Sequence, residues 1–303
     1  MSSYALLTKE EKEAIGQNDD LIFAKQKPFY TRLLTHTNSK IALMILALLI
    51  AFALLGPLFS PYSYTETNLP DKNLSPSLTH PFGTDDLGRD LFTRVAYGLR
   101  LSLQISCIAA IVDLFLGVTW GTIAGYNGGT IDQIMMRIAE MVYSMPYLLF
   151  VILITVIIGP GFFPIIAAMV LIGWIQMARI TRNLVLALRN QEFVIAALTL
   201  GIPTWRILLY HILPNCIGPI IALMMLTIPQ AIFMEAFLSF LGIGIQPPQA
   251  SLGSLVSDAL GAMRIYPWRL FIPAVFISTL IFACNLLGDS LRELLDPQAR
   301  INT

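Results

Sequence analysis

Apolar positions in this chain come in long unbroken runs rather than in alternation. Six runs approach the roughly 20 residues that a helix needs to cross a bilayer. They cover Ile41–Phe59, Leu101–Tyr126, Ile138–Ile158, Phe162–Ile180, Ile217–Ile243 and Phe271–Leu287. The expected architecture is therefore an all-α membrane protein with six transmembrane helices. The fifth run contains Pro219 and Pro229. Proline inside a span is tolerated where neighbours re-satisfy the freed backbone groups. This helix is expected to be kinked and to face protein or a cavity.

The polar segments between the runs are unequal. Residues 1–40 form a polar tail, in which Thr8-Lys9-Glu10-Glu11 is a weak capping-box match. Residues 41–100 hold the first span and a polar loop rich in Pro and Ser. Residues 101–290 hold the core, interrupted by a half-polar segment at 183–215. Residues 291–303 form a short tail. A second outer loop, Gln246–Leu270, carries Pro247-Pro248 and Pro267-Trp268. The first apolar run follows a long polar stretch, so it reads as an anchor that is kept rather than a cleaved signal.

Composition agrees with this pattern. The chain is 56% apolar and 13% charged, with a mean hydropathy of +0.71. A soluble domain carries about 25% charged residues. The formal net charge is zero, which gives no basic surface for nucleic acid. Cys107, Cys216 and Cys284 are scattered in or beside apolar runs, as small packing residues are. His36, His80 and His211 are equally dispersed, so no metal-ligand spacing is visible. Lys72 is the last lysine of the chain, and a phosphate-binding P-loop needs one after its glycines. No cofactor is expected in this chain; an ATP-driven process would need its motor, with ATP and Mg, on another polypeptide.

Basic residues set the orientation. With the N-terminus inside, the inner segments hold Lys9, Lys12, Lys25, Lys27, Arg32, Lys40, Arg137, Arg179, Arg182, Arg189, Arg206, Arg292 and Arg300, 13 of the 19. Both termini and the 183–215 segment are then expected on the cytoplasmic side. Ionisable residues within the spans are costly and mark pathways. Asp113 lies midway along the second run, and three roles are open to it: lining a polar cavity, a helix–helix hydrogen bond, or ion coupling. Glu140 lies near the inner end of the third run and Glu235 toward the outer end of the fifth. All three are candidates for the translocation pathway. An intramembrane enzyme would need a helix-borne nucleophile and base; Ser144 and Asp113 are conceivable, but no spacing supports them.

The stretch "EFVIAALTLGIPTWRILLYHILPN", Glu192 to Asn215, is too short and too polar to cross the bilayer. Gly201 suits the left-handed position after a helix. Pro203 suits the first turn of a second helix. Pro214 and Asn215 are expected to end that helix. Two short angled helices at the inner face follow, either as a plain interfacial connector or as a docking element.

This stretch resembles the coupling-loop signature of the permease subunits of ABC importers. The matching positions are Ile195-Ala196-Ala197, Gly201 and Ile212-Leu213-Pro214, with Ile195 where glutamate is usual. "HPFGTDDLGRDLFTRVAYGLRLSL", "EAFLSFLGIGIQPPQASLGSLV" and "NLLGDSLRELLDPQAR" resemble segments of the oligopeptide and dipeptide branch, C type. The resemblance implies a type I importer permease fold with cytoplasmic coupling helices. It implies a multi-pass subunit of a bacterial plasma membrane complex that imports oligopeptides or dipeptides. The same architecture serves nickel chelates; an ion-coupled carrier is a more distant alternative. The implied partners are a second similar permease, two ATP-binding subunits, an extracytoplasmic peptide-binding protein and membrane lipid. Glu192, Phe193, Ala196, Ala197, Gly201, Pro214 and Asn215 would form the ATPase-coupling element. Asp85, Asp86, Arg89 and Asp90 would fix the outer loop or meet the binding protein, a solvated turn being the plainer reading. Asp289, Arg292 and Asp296 would cap the last helix or touch the ATPase.

Overall fold

The computed structural model describes Leu33 and residues 36–295. The Thr8–Glu11 match, Asp296 and Arg300 lie outside those residues. The described chain is helical, with one isolated antiparallel bridge between Thr84 and Asp90. Ten α-helices follow in order: α1 (Thr37–Phe59), α2 (Leu91–Asn127), α3 (Gly129–Tyr143), α4 (Tyr147–Ile158), α5 (Phe162–Leu188), α6 (Glu192–Thr199), α7 (Thr204–Ile207), α8 (Leu213–Phe240), α9 (Leu252–Ala259) and α10 (Trp268–Leu295).

Five helical segments are long and apolar enough to span a membrane. The count is six if the α3–α4 pair is one span, but that pair is bent by 77°. The expected straight helix over Ile138–Ile158 is therefore corrected to a broken one. Pro146 explains the break: a residue that precedes proline is pushed out of the helical region, and Pro146 itself sits in extended conformation as the N-cap of α4. The second span is also longer than expected. It begins at Leu91 because the Asp90 carboxylate accepts the Thr93 N–H at 2.9 Å, satisfying a free donor of the first turn.

The α2–α5 packing is set by glycine. Gly117, Gly121 and Gly125 recur every four residues and so share one face of α2. A Cβ at Gly121 would collide with the Ala178 carbonyl and stand 2.8 Å from Thr181 Cβ. One at Gly125 would stand 2.7 Å from the Arg182 carbonyl. Small residues at such spacing let two membrane helices approach backbone to backbone, where packing replaces the absent hydrophobic drive. Polar ties reinforce this end of the bundle. Arg182 on α5 pairs with Asp132 on α3. Arg189 donates to the Tyr126 carbonyl at 3.1 Å, satisfying the end of α2.

Candidate functional site

The half-polar segment forms the shape expected of it at one end and not at the other. Gln191 enters α6 in extended conformation, and Glu192 occupies the first turn, where the helix dipole favours an acid. At the far end Gly201 takes φ +75°. Its N–H donates to the Leu198 carbonyl at 3.0 Å, and the Ile202 N–H reaches the Ala197 carbonyl at 3.1 Å. Together these make a Schellman cap, with Ile202 tucked against the apolar cluster below. Pro203 stands at the N-cap of α7 rather than within its first turn. Pro214 and Asn215 do not end the second helix, contrary to expectation. After α7 the backbone widens into a π turn over Leu208–Ile212 and runs directly into α8. Proline lacks an N–H and its ring crowds the carbonyl four residues back. The widened turn accommodates this: the Leu213 N–H bonds Leu208 instead.

The faces of α6 divide cleanly. Val194 and Ala197 are buried in one apolar cluster with Met177 and Val185 of α5 and with Ile207, Ile212 and Cys216. Ala197 therefore packs inside its own chain, not in a partner's groove as the resemblance had implied. Phe193 and Ala196 do face outward. Ile195, Leu198 and Leu200 join them, and Leu200 is 80% exposed. Trp205, Leu209 and Tyr210 continue the exposed apolar surface beyond the bend. Leu198, Leu200, Trp205, Leu209 and Tyr210 were not singled out in the sequence because their spacing is that of any amphipathic helix. Only the placement of Val194 and Ala197 against α5 identifies which side is left free.

The three acids assigned to a pathway stand in three different surroundings. Glu235 on α8 is fully buried and accepts hydrogen bonds from Ser102 (2.6 Å) and Ser239 (2.8 Å). It ties α8 to α2 and stands outside the wall of the cavity that Asp113 lines. Glu140 is exposed beside Arg137 at 3.6 Å and lines an open groove between α3 and α5. It is not part of the wall around Asp113. Asp113 lines a cavity of ≈ 460 Å³ between α2, α5 and α8, at the α3–α4 break. Tyr147, Gln176, Thr227 and Gln230 share the wall with it. Asp113 thus stands in the wall of a cavity. The helix–helix hydrogen bond is not made: Oδ1 is buried without a hydrogen-bond partner among the described residues. Ser144 spends its hydroxyl on the Met141 carbonyl at 2.8 Å, an ordinary helix-end contact.

The "GTDDLGRD" segment is a buried ionic knot, not a solvated turn. Asp85 Oδ2 accepts from Arg89 Nε at 2.7 Å, while its Oδ1 accepts the Leu87 and Arg89 N–H groups at 2.9 Å. Arg94 stands 3.6 Å away from the same carboxylate. His80 Nδ1 lies 3.0 Å from Asp90. Arg269, from the start of α10, bonds Asn73 at 2.8 Å and Asp86 at 3.2 Å. The loop is thereby fastened across the end of the bundle. Burial pushes the Asp258 carboxyl on α9 above its ordinary value, and Arg94, 3.9 Å away, opposes that shift. Asp289 and Arg292 lie exposed on the last turns of α10.

Comparison with known proteins decides what frame holds these parts. Residues 117–301 match the family described as binding-protein-dependent transport system inner membrane component. The chain belongs to that family. Residues 28–76 match the N-terminal transmembrane domain of oligopeptide transport permease C, covering α1 and part of the loop after it. The chain is 52% identical to the oligopeptide transport system permease protein OppC of Bacillus subtilis over 86% of this chain and 85% of that one. It is 49% identical to the dipeptide permease DppC of the same organism, over 89% and 85%. It is 37% identical to OppC of Escherichia coli over 97% of this chain and 100% of that one. A chain of the MetNI methionine ABC transporter shares the fold at 16% identity. Its TM-score is 0.56, covering 67% of this chain and 96% of that one. This permease is thus a multi-pass membrane protein with the fold of ABC importer permeases.

Proposed function

We propose that this permease is one transmembrane subunit of an ATP-driven importer of oligopeptides or dipeptides. ATP and Mg are handled by two separate ATPase subunits, so the chain itself catalyses nothing. A second, similar permease completes the channel, and an extracytoplasmic binding protein delivers the peptide. The α3–α4 pair counts as one span, which gives six and puts both termini on the cytoplasmic side, as the basic residues favour.

One observation supports the coupling role above the others: α6 buries one apolar side and exposes further large apolar residues while too short to span. Its inner face, Val194 and Ala197, is locked into the α5–α8 core. Its outer face is left bare, through Phe193, Ile195 and Leu198. A contiguous exposed apolar patch marks an interaction site. A soluble ATPase that grips the outer face moves the inner one, and α5 and α8 with it. ATP then needs only to bind one arrangement of the ATPase pair more tightly to bias the permease between inward and outward states. Ile195 carries no charge at the position where the family resemblance has glutamate, so the grip rests on apolar fit.

Reconstitution tests this reading. The chain, assembled with its cognate permease, ATPases and binding protein in proteoliposomes, is expected to accumulate labelled peptide only with ATP. Accumulation driven by a proton gradient without the ATPases would overturn it.

A further inference from the structure

We propose that the cavity beside Asp113 is a transit subsite for the α-ammonium group of the passing peptide, an inference that rests on the peptide-import reading above. Three observations converge there. First, Asp113 is 8% exposed, and Oδ1 has no hydrogen-bond partner among the described residues. A carboxylate held out of water needs a cation or a set of donors. Second, among the described residues no basic side chain lines the cavity. Arg179, three residues beyond Gln176 of the wall, lies over the face of Tyr143 at 4.6 Å. A cationic group on an occupant of the cavity would supply the missing positive charge. Third, the site is shaped around the carboxylate. A Cβ at Gly173 would collide with Asp113 Oδ2 and stand 2.8 Å from Oδ1. Glycine at that position is what lets the side chain lie against α5.

The rest of the lining suits a peptide end. The Tyr147 hydroxyl is also buried without a hydrogen-bond partner among the described residues. Gln176 and Gln230 each offer an amide donor and acceptor, which matches a peptide backbone. The apolar part is largely methionine, at positions 145, 169 and 234. Methionine is flexible and adapts to side chains of different shape, as a carrier of varied peptides requires. The volume falls in the range of about 300–1,000 Å³ usual for small-ligand sites. The ammonium is held by charge and the side chain by a compliant wall, so passage depends on the peptide end rather than on its sequence.

The test uses the full complex in proteoliposomes with its binding protein. The peptide has a free N-terminus, a diazirine on residue 1, and no lysine, arginine or histidine. Irradiation of the wild-type complex during turnover is expected to place adducts on the wall around residues 113, 147, 173 and 230. D113N is expected to lower uptake per ATP hydrolysed about tenfold, since a charge-assisted bond is lost. D113E is expected to recover most of that loss. Adducts confined to other surfaces, or a D113N ratio equal to the wild type, would overturn the subsite. If D113N does not assemble, the wild-type adduct map decides alone. Failure of the wild-type complex to take up any peptide with ATP would instead overturn the import reading itself.

Discussion

Gly201 offers a test in which the backbone effect is separable from packing. The residue holds φ +75°, and a Cβ added there meets nothing within 4 Å. Any cost of a side chain is therefore conformational. For an ordinary L-residue the left-handed region costs roughly 1–2 kcal/mol, and asparagine visits it readily. Since 1.4 kcal/mol is a factor of ten, Gly201→Ala weakens the preference for the α6–α7 bend by about tenfold. Gly201→Asn weakens it far less. Gly201→Pro fixes φ near −65° and removes the N–H that bonds Leu198, a cost of about 3 kcal/mol or more. The expected order of ATP-dependent uptake in vesicles is Gly, then Asn, then Ala, with Pro last. Co-purification of the ATPases follows the same order. Membrane insertion is unchanged throughout, because Gly201 lies outside the spans. Equal losses in the Ala and Asn variants would show that the φ argument is wrong. Normal uptake in Gly201→Pro would remove the coupling role of the bend altogether.

Other perturbations probe the remaining parts. Gly121→Leu forces α2 away from α5; the expected result is a loss of at least a few kcal/mol, seen as a lower melting temperature in detergent. Asp85→Ala strands Arg89 and Arg94 without their shared carboxylate. Breaking a buried pair costs about 3–5 kcal/mol, and limited proteolysis is expected to cut the 60–90 loop at much lower protease concentration. Glu235→Gln keeps a hydrogen-bonding group between Ser102 and Ser239; uptake is expected to stay within about twofold of wild type, with no response to an imposed proton gradient.

Length and polarity of segments settled a great deal here. An apolar run of 20 residues has one stable form in lipid, because every N–H and C=O must be satisfied within the segment. The helical class and five of the six spans follow from that alone. So does the identity of Glu192–Asn215 as something other than a span. Gly201 was equally legible, since only a residue without a Cβ adopts its conformation freely. The Gly117, Gly121 and Gly125 spacing went unread, because its meaning lies in the partner surface on α5.

What lay beyond the sequence depended on which faces meet. Periodicity shows that α6 has sides, not that Val194 and Ala197 face α5 while Phe193 and Ile195 remain bare. The same reason explains the three acids. Asp113, Glu140 and Glu235 all interrupt apolar stretches, and one dimension gives each the same meaning. Depth and neighbours separate them: Ser102 and Ser239 absorb Glu235, water reaches Glu140, and Asp113 is left facing a cavity. The charge of a side chain is written in the sequence, but whether that charge is already satisfied depends on residues a hundred positions away.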